Sequence, residues 1–238
     1  MKRAWQSRVT THAPDATYGE SIAMGGRYTD ICEASAVADL EASPLDGWTW
    51  GYGTPVTASR SADGVITISR DTSSYVGDRA TQTHSHMRKT LTSRNARAIF
   101  NVRRTGAFSG GGVFPVACVF INQGPADCTG FNLFGTTLEL WNAGAGLVGS
   151  EAVVDGAWMW VRLDLNGVNV AGYVCTSTSS TPPPLEIGGS ISTQWKSRGY
   201  YNFGATGAAG AVSLDIGCWT NSTFAYDFEL RYGRIWEW

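Results

Sequence analysis

The sequence has few charged residues and no long hydrophobic run. Asp, Glu, Lys and Arg make up 16% of the 238 residues, whereas about a quarter is usual in globular domains, and the formal net charge is −2. This balance does not favour a nucleic acid as a partner. No stretch reaches the roughly 18 apolar residues that a membrane-spanning helix needs. Because the basic residues after Met1 are not followed by an apolar run, no secretory signal is predicted either.

The sequence also lacks the short motifs of common metal sites, nucleophilic enzymes and nucleotide-binding proteins. Its five cysteines contain no CxxC pair, and their odd number leaves at least one thiol free within a single chain. Buried free cysteines are therefore expected. No Gly-x-Ser-x-Gly elbow occurs, and the run Gly110-Gly111-Gly112 lacks a P-loop lysine. We accordingly predict no cofactor.

What the sequence does contain is alternation, and its clearest example is a predicted β-hairpin around Asn166-Gly167. Runs of β-favouring residues flank this dipeptide, which suits a type I′ turn because Asn and Gly both tolerate positive φ. Before the turn every second residue is apolar, which predicts a strand with one apolar and one amphipathic face. The apolar face holds Met159, Val161, Leu163 and Leu165, and the amphipathic face holds Trp158, Trp160, Arg162 and Asp164.

Other segments carry the same strand pattern. The run from Val113 to Ile121 is almost wholly apolar, so a central strand is expected there. The last strand changes phase at Gly233, which predicts a bulge. The chain has 29 glycines for turns and 10 tryptophans for pleated surfaces. Roughly a dozen strands at these spacings predict an all-β fold, namely a two-sheet antiparallel sandwich.

The first part of the chain has weaker patterning. We predict an irregular N-terminal arm or anchor over residues 1–45, with a short helix over Asp30–Leu40, and a sandwich domain over residues 46–238. The alternative is that residues 1–45 form the first strands of the domain.

The predicted hairpin resembles one found late in concanavalin A-like and laminin-G-like jelly rolls. The matching residues are Gly156-Ala-Trp158-Met-Trp160-Val-Arg162 followed by Asn166-Gly167, and Tyr226–Trp236 is similar to the closing strand of such domains. The resemblance covers about residues 47–238 and implies a jelly-roll β-sandwich. Fold alone does not give a function, because unrelated activities use this sandwich.

The glycine- and tryptophan-rich chain also resembles accessory domains of bacteriophage particles, such as fibres, spikes and decoration proteins. This resemblance implies a non-catalytic attachment module located on the virion. Its partners would be other virion structural proteins and host surface carbohydrate, and a homo-oligomer would be expected, with a trimer favoured. A purely structural decoration protein without a ligand is one alternative.

A polysaccharide-acting glycoside hydrolase is the other alternative. Glycosidases on this sandwich resemble one another in a strand with Glu-x-Asp-x-x-Glu, which brings two catalytic carboxylates to one face. That motif is absent, since Glu139, Glu151, Glu186 and Glu229 lack the partner carboxylates. We therefore expect that the protein is not an enzyme.

Aromatic residues beside amides or hydroxyls are candidate carbohydrate-binding positions. A flat ring packs against the C–H face of a sugar, and an amide binds its hydroxyls, although ordinary sheet packing explains the same residues. The candidates are Trp141, Asn142, Trp195, Tyr200, Tyr201 and Trp219.

Ionisable residues give two further hypotheses. His84 and His86 would point to one side of a strand, as metal ligands do. Candidate calcium ligands are Asp63, Asp71 and Asp78. For both sets the alternative is that these are exposed polar residues that bind no metal. A loose basic cluster is a candidate contact for an acidic polysaccharide or a neighbouring subunit, with a solvated strand face as the alternative: Arg88, Lys89, Arg94, Arg97, Arg103 and Arg104.

Overall fold

The computed structural model describes residues 29–32, 35–40, 42–51, 56–70, 85–106, 116–122, 128–142, 145–184, 186–187, 190–203, 211–219 and 225–238. These residues form antiparallel strands and no helix, which confirms the all-β prediction. In chain order the strands are β1 (Thr29–Asp30), β2 (Trp48–Gly51), β3 (Val56–Arg60), β4 (Ile66–Arg70), β5 (Ser85–Thr90), β6 (Asn95–Gly106), β7 (Val116–Asn122), β8 (Cys128–Phe134), β9 (Thr137–Asn142), β10 (Gly146–Ala152), β11 (Met159–Asn166), β12 (Asn169–Cys175), β13 (Glu186–Ile187), β14 (Ser190–Ile191), β15 (Lys196–Asn202), β16 (Ser213–Trp219) and β17 (Tyr226–Glu237).

Two large sheets make up the sandwich. Sheet A has the order β15-β12-β11-β6-β17-β4-β3, with β1 also paired to β17. Sheet B has the order β10-β9-β8-β7-β16-β5-β2, and β13 pairs with β14 separately. Strand β7 has hydrogen-bonded neighbours on both sides, which confirms the central strand predicted within Val113–Ile121.

One apolar core lies between the sheets. Val161 and Leu163 of sheet A and Leu140 and Leu214 of sheet B are each at most 1% exposed, as expected for alternate residues that share the inner faces. At Gly172 the sheets approach so closely that a Cβ would stand 2.6 Å from a Leu140 methyl carbon. This contact fixes β12 of sheet A against β9 of sheet B.

The edge strands β10 and β15 close one side of the sandwich. Glu151 of β10 accepts a 2.7 Å hydrogen bond from Lys196 and forms a 3.0 Å ion pair with Arg198, both of β15. Arg198 also donates to the backbone oxygen of Ser150 at 2.8 Å. Charged edge contacts of this kind keep the open ladder of an edge strand from pairing with another chain.

The hairpin turn lies one residue later than predicted. Asn166 pairs with Asn169, so the two turn residues are Gly167 and Val168 rather than Asn166 and Gly167. Gly167 has a φ of 60°, as the first central position of a primed hairpin turn requires. The predicted position of the turn at Asn166-Gly167 is therefore wrong, although the hairpin itself is confirmed.

The helix predicted over Asp30–Leu40 is also wrong for the described residues. Asp30 belongs to β1, which pairs with β17, and Val37 forms an isolated bridge with Arg60. Ile31 and Leu40 are each 1% exposed, because both side chains fill the core of the sandwich. The described part of residues 29–45 thus packs with the sheets, whereas residues 1–28 of the predicted arm lie outside the described residues.

The bulge of the closing strand lies at Arg231 rather than at Gly233. The register between β17 and β6 shifts between Leu230 and Tyr232, so Arg231 is the extra residue. Arg231 follows the alternation set by the core residue Leu230 and lies on the face of sheet A that points away from sheet B, and the bulge leaves Tyr232 on that same face.

Candidate functional site

The face of sheet A that points away from sheet B, here called the outer face, carries a buried layer of aromatic and charged side chains. Trp160, Arg162 and Asp164 of β11 lie on it, and strand pairing sets them opposite Asn101, Ile99 and Arg97 of β6. The sequence predicted this amphipathic face. It did not predict its burial, since Trp160 is 0% and Arg162 1% exposed.

The middle of the outer face is an aromatic cluster. Trp160 and Trp195 pack with Ile99, Cys175 and Trp236, and the ring of Tyr232 meets that of Trp160 edge-on at 5.0 Å. The segment of residues 176–184, which we call the strap, contributes to this burial. Its backbone oxygens at Ser179 and Pro184 accept hydrogen bonds from the indole nitrogens of Trp160 and Trp195, each at 3.0 Å.

At one end of the outer face two arginines share a single carboxylate. Asp164 accepts 2.8 and 3.1 Å hydrogen bonds from Arg97 and a 2.6 Å hydrogen bond from the Arg162 guanidinium. Burial alone would raise the pKa of Asp164, but the hydrogen bonds from both arginines outweigh it and lower the pKa. The carboxylate therefore stays ionised at neutral pH.

A tyrosine completes this polar network. Tyr173 of β12 pairs with Arg162, whose guanidinium carbon lies 4.9 Å from the centre of its ring. Burial raises the pKa of Tyr173, and the negative charge of Asp164 raises it further. The phenol therefore keeps its proton, and the network at this end offers cations and a proton donor beside one carboxylate.

At the opposite end of the face two guanidiniums lie against Trp158. The guanidinium carbons of Arg103 and Arg231 stand 4.5 and 4.4 Å from the centre of the indole ring. Arg103 pairs with Glu229, while Arg231 donates to the Asn101 side chain and, at 2.6 Å, to the backbone oxygen of strap residue 178. The cation–π contacts position both arginines on one ring.

A cavity of about 390 Å³ adjoins this end of the face. Trp158, Thr176, Thr178 and Glu151 bring a ring, two hydroxyls and a carboxylate to it, together with the apolar residues Ala152, Val153, Val154, Ala157 and Met159. A volume of this size lies in the usual range for small-molecule sites, and its mixed lining suits an amphipathic ligand such as a sugar.

The structure does not bring the predicted carbohydrate-binding residues together. Trp141 alternates with the core residue Leu140 in β9, so it lies on the outer face of sheet B, on the other side of the molecule from sheet A. Asn142 is 0% exposed, and its amide bonds the Cys128 oxygen at 3.2 Å and the Thr129 hydroxyl at 2.8 Å. That amide supports the fold and has no surface to offer a ligand.

The other predicted residues differ in their access to solvent. Trp195 is 5% exposed in the aromatic cluster, and Tyr201 packs against the core with its ring 5.7 Å from that of Phe203. Tyr200 is 69% exposed and pairs with Ala171, which is also opposite Asp164. Trp219 ends β16 and pairs with Val116. Among the predicted residues whose side chains are described, Tyr200 alone combines exposure with a place near the polar network.

The predicted metal ligands are only partly among the described residues. His84, Asp71 and Asp78 lie outside them, and the His86 side chain is not described. Asp63 is exposed and accepts a hydrogen bond from Ser61. In the described part of the chain no group of three or more His, Cys, Asp or Glu is placed to hold a metal ion, and no helix there is long and apolar enough to cross a membrane.

The structure separates four arginines of the predicted basic cluster into three places. Arg88 pairs at 2.8 Å with the buried Asp215 on the outer face of sheet B, and Arg104 pairs at 2.8 Å with Asp155 at the end of the core. Arg97 and Arg103 lie on the outer face of sheet A. The sequence did not group Arg162, Tyr173 and Arg231 with these arginines, because strand pairing rather than sequence distance brings them close.

Comparison with known proteins relates the fold to carbohydrate-active enzymes. No protein family and no curated protein matches the sequence. Among solved structures, a family 7 alginate lyase, A1-II′, has a TM-score of 0.58 at 10% identity over 84% of this chain and 96% of its own. The GH43 protein BlXynB from Bacillus licheniformis has a TM-score of 0.58 at 12% identity over 89% of this chain and 39% of its own. An engineered GH43 glycoside hydrolase with endo-xylanase and exo-arabinofuranosidase activity has a TM-score of 0.59 at 10% identity, covering 86% and 40%.

These similarities confirm the jelly-roll β-sandwich and correct two expectations. The prediction of a non-catalytic virion attachment module is wrong, because the similar structures are carbohydrate-active enzymes. The prediction that the protein is not an enzyme is overturned by the same finding, which favours the polysaccharide-acting alternative. At these identities the likeness itself is one of fold, and the chain spans less than half of the GH43 proteins that it matches.

Proposed function

We propose that this protein is a polysaccharide-acting enzyme that binds a carboxylated polysaccharide on the outer face of sheet A and cleaves it by β-elimination. The observation that carries the proposal is the polar network, in which Arg97 and Arg162 bind the carboxylate of Asp164 and Tyr173 lies against the Arg162 guanidinium. The likeness to an alginate lyase along 96% of that enzyme's chain supports the choice of substrate class.

The network fits the requirements of an elimination. Asp164, the ionised carboxylate of the network, is the base that removes the proton from the sugar carbon next to the substrate carboxylate. The electron pair forms a carbon–carbon double bond, and the glycosidic C–O bond breaks. Arginines facilitate the first step, because a cation near the substrate carboxylate stabilises the negative charge that develops there. The leaving oxygen then takes up a proton, and Tyr173, with its raised pKa, is a phenol that still carries one at neutral pH.

Hydrolysis that pairs Asp164 with Glu229 does not fit the outer face. Glycosidases place their catalytic carboxyl groups about 5 to 9.5 Å apart. Asp164 lies opposite Arg97 and Glu229 lies opposite Arg103. Six residues of β6 separate these arginines, which at the rise of a strand is about 20 Å. Asp164 and Glu229 are therefore too far apart to act on one glycosidic bond.

The proposal is tested by incubating the protein with alginate, polygalacturonate and a glucuronate polymer, and with neutral xylan and arabinan. β-Elimination gives a product whose new double bond is conjugated with the carboxylate and absorbs in the ultraviolet. We expect this absorbance to increase together with new reducing ends on at least one carboxylated polymer. New reducing ends without absorbance would identify a hydrolase, and no cleavage of any polymer would contradict an enzymatic role.

A further inference from the structure

The two arginines that contact Trp158 differ in how their charge is balanced. Arg103 pairs with Glu229, so one charge has a carboxylate opposite it. Arg231 has neutral partners, namely the Asn101 side-chain oxygen and the backbone oxygen of Thr178. The next acid on this face of β17, Asp227, lies opposite Thr105 rather than opposite an arginine. Among the described residues no carboxylate thus pairs with Arg231, although another guanidinium contacts the same ring.

Electrostatics at this position favour an additional anion. Burial lowers the pKa of Arg231, and the positive charge of Arg103 lowers it further. A negatively charged ligand near Arg231 would relieve this repulsion, and a guanidinium presents paired donors that match both oxygens of a carboxylate.

The cavity places a sugar-sized space beside these cations. Trp158 belongs to both features, since it contacts the guanidiniums and also lines the cavity. Thr178 links them as well, because its backbone oxygen accepts from Arg231 while the residue lines the cavity. A ligand in the cavity with a negative group directed past Trp158 would therefore meet Arg231.

We propose that Arg231 and the cavity beside Trp158 form a subsite for one carboxylate-bearing sugar residue of the polysaccharide. The carboxylate binds the Arg231 guanidinium, and the sugar ring occupies the cavity near Thr176 and Thr178. The inference rests on the proposed function for the identity of the ligand. Arg231 lies opposite Asn101 and Val102 of β6, four to five residues from Arg97. At the rise of a strand this is about 15 Å, so the subsite binds the polymer at a distance from the reacting bond.

The test is a binding measurement with probes that differ only in charge. Tetrasaccharides of galacturonate, guluronate, mannuronate and glucuronate, together with their carboxyl-reduced neutral counterparts, are titrated into the full chain by calorimetry. We expect at least one charged probe to bind, and Arg231→Gln to weaken it by about tenfold or more, as expected for loss of a charge-assisted pair. The neutral counterpart should bind weakly to both proteins.

Two other variants make the result specific. Arg234→Gln is the matched control, because Arg234 lies on the same strand and face, stacks on Tyr232 at 5.0 Å and pairs with Asp30 at 3.3 Å. It should leave the affinity of the charged probe unchanged. Ala157→Phe fills the cavity without touching either arginine and should weaken binding as Arg231→Gln does, which keeps the test valid where Arg231→Gln lowers stability.

The outcomes separate this inference from the proposed function. Cleavage of a carboxylated polymer with the same KM in wild type, Arg231→Gln and Ala157→Phe would overturn the subsite and leave the function standing. Binding that depends on Arg231 and on Ala157, without cleavage of any polymer, would support the subsite and contradict the lyase. Equal affinity for the charged and the neutral tetrasaccharides, or binding of no charged probe, would also overturn the subsite.

Discussion

Asp164 holds the guanidinium of Arg162 at 2.6 Å on a sheet face where Arg162 is only 1% exposed. A buried cation of this kind depends on its carboxylate, because removal of one partner leaves an uncompensated charge. The ion pair therefore stabilises the fold in addition to its place in the proposed reaction. Its effects on stability and on activity can be measured separately.

Replacing Asp164 by Asn should lower the free energy of unfolding by about 3 kcal/mol, the usual cost of breaking a buried ion pair. Chemical denaturation at neutral pH measures this difference. Asp46→Asn is the matched control, since Asp46 is exposed, and it should change stability by less than about 0.5 kcal/mol. Equal changes in unfolding free energy in both variants would contradict a structural role of Asp164.

The same pair predicts a pH dependence of stability. The pKa of Asp164 is lowered in the folded state, so its contribution is fully present above the pKa of an unfolded Asp, about 3.9, and is lost as the pH falls through the folded pKa. The difference in unfolding free energy between wild type and Asp164→Asn should thus be constant from neutral pH to about 5 and shrink below about 4. A difference in unfolding free energy that grew as the pH fell would contradict the lowered pKa of Asp164 in the folded state.

Gly233 makes room for Ile31 in the core. A Cβ at Gly233 would lie 2.7 Å from the Ile31 Cδ1 atom and 3.0 Å from Phe100. Gly233→Ala should therefore cost about 1–3 kcal/mol through overpacking, measured by thermal or chemical unfolding. In the Ile31→Ala background the added methyl has space, so the two changes should couple and the double variant should lose less than the sum. Additive losses would show that Ile31 does not pack there.

Trp195 and Tyr200 provide a contrast between a packed and an exposed aromatic residue. Both were predicted to bind carbohydrate, but Trp195 is 5% and Tyr200 69% exposed. Trp195→Ala should lower stability by about 3 kcal/mol or more, because it empties the aromatic cluster. Tyr200→Ala should leave stability within about 0.5 kcal/mol and weaken binding of the carboxylated polysaccharide of the proposed function. A stable Trp195→Ala variant would contradict the packing under the strap.

Oligomerisation stays a prediction. The expectation of a homo-oligomer assumed more aromatic surface than one monomer can bury. In the described residues, however, Trp48, Trp160, Trp195 and Trp236 are all at most 7% exposed, and Trp238 is 50% exposed. A mass measurement in solution tests the predicted trimer directly.

The strands were predictable from the sequence because alternation of period two is a local property. It placed the hairpin, the central strand β7 and the apolar face of β11 correctly. Local pattern also explains the errors, since Asn166-Gly167 and Gly167-Val168 are both acceptable turns and only the cross-strand register decides between them.

The candidate site was much less predictable. Sequence does not say which sheet a strand joins, so Trp141 and Tyr200 could be grouped although β9 and β15 belong to different sheets. Nor does it show that residues 176–184 contact Trp160 and Trp195, because those contacts are hydrogen bonds from the indole nitrogens to backbone oxygens of the strap. Tyr232 faces the site beside Arg231 only through a bulge that the sequence placed at Gly233.

The central claim is that the polar network on the outer face of sheet A carries out the reaction, and Tyr173→Phe tests it most directly. On the carboxylated polymer that gives ultraviolet-absorbing products, Tyr173→Phe should lower kcat about 100-fold or more, the usual contribution of a positioned proton donor. Tyr201→Phe removes a phenol oxygen from a ring of β15 that packs against the core, and it should retain wild-type kcat. A Tyr173→Phe enzyme as fast as Tyr201→Phe would contradict the account.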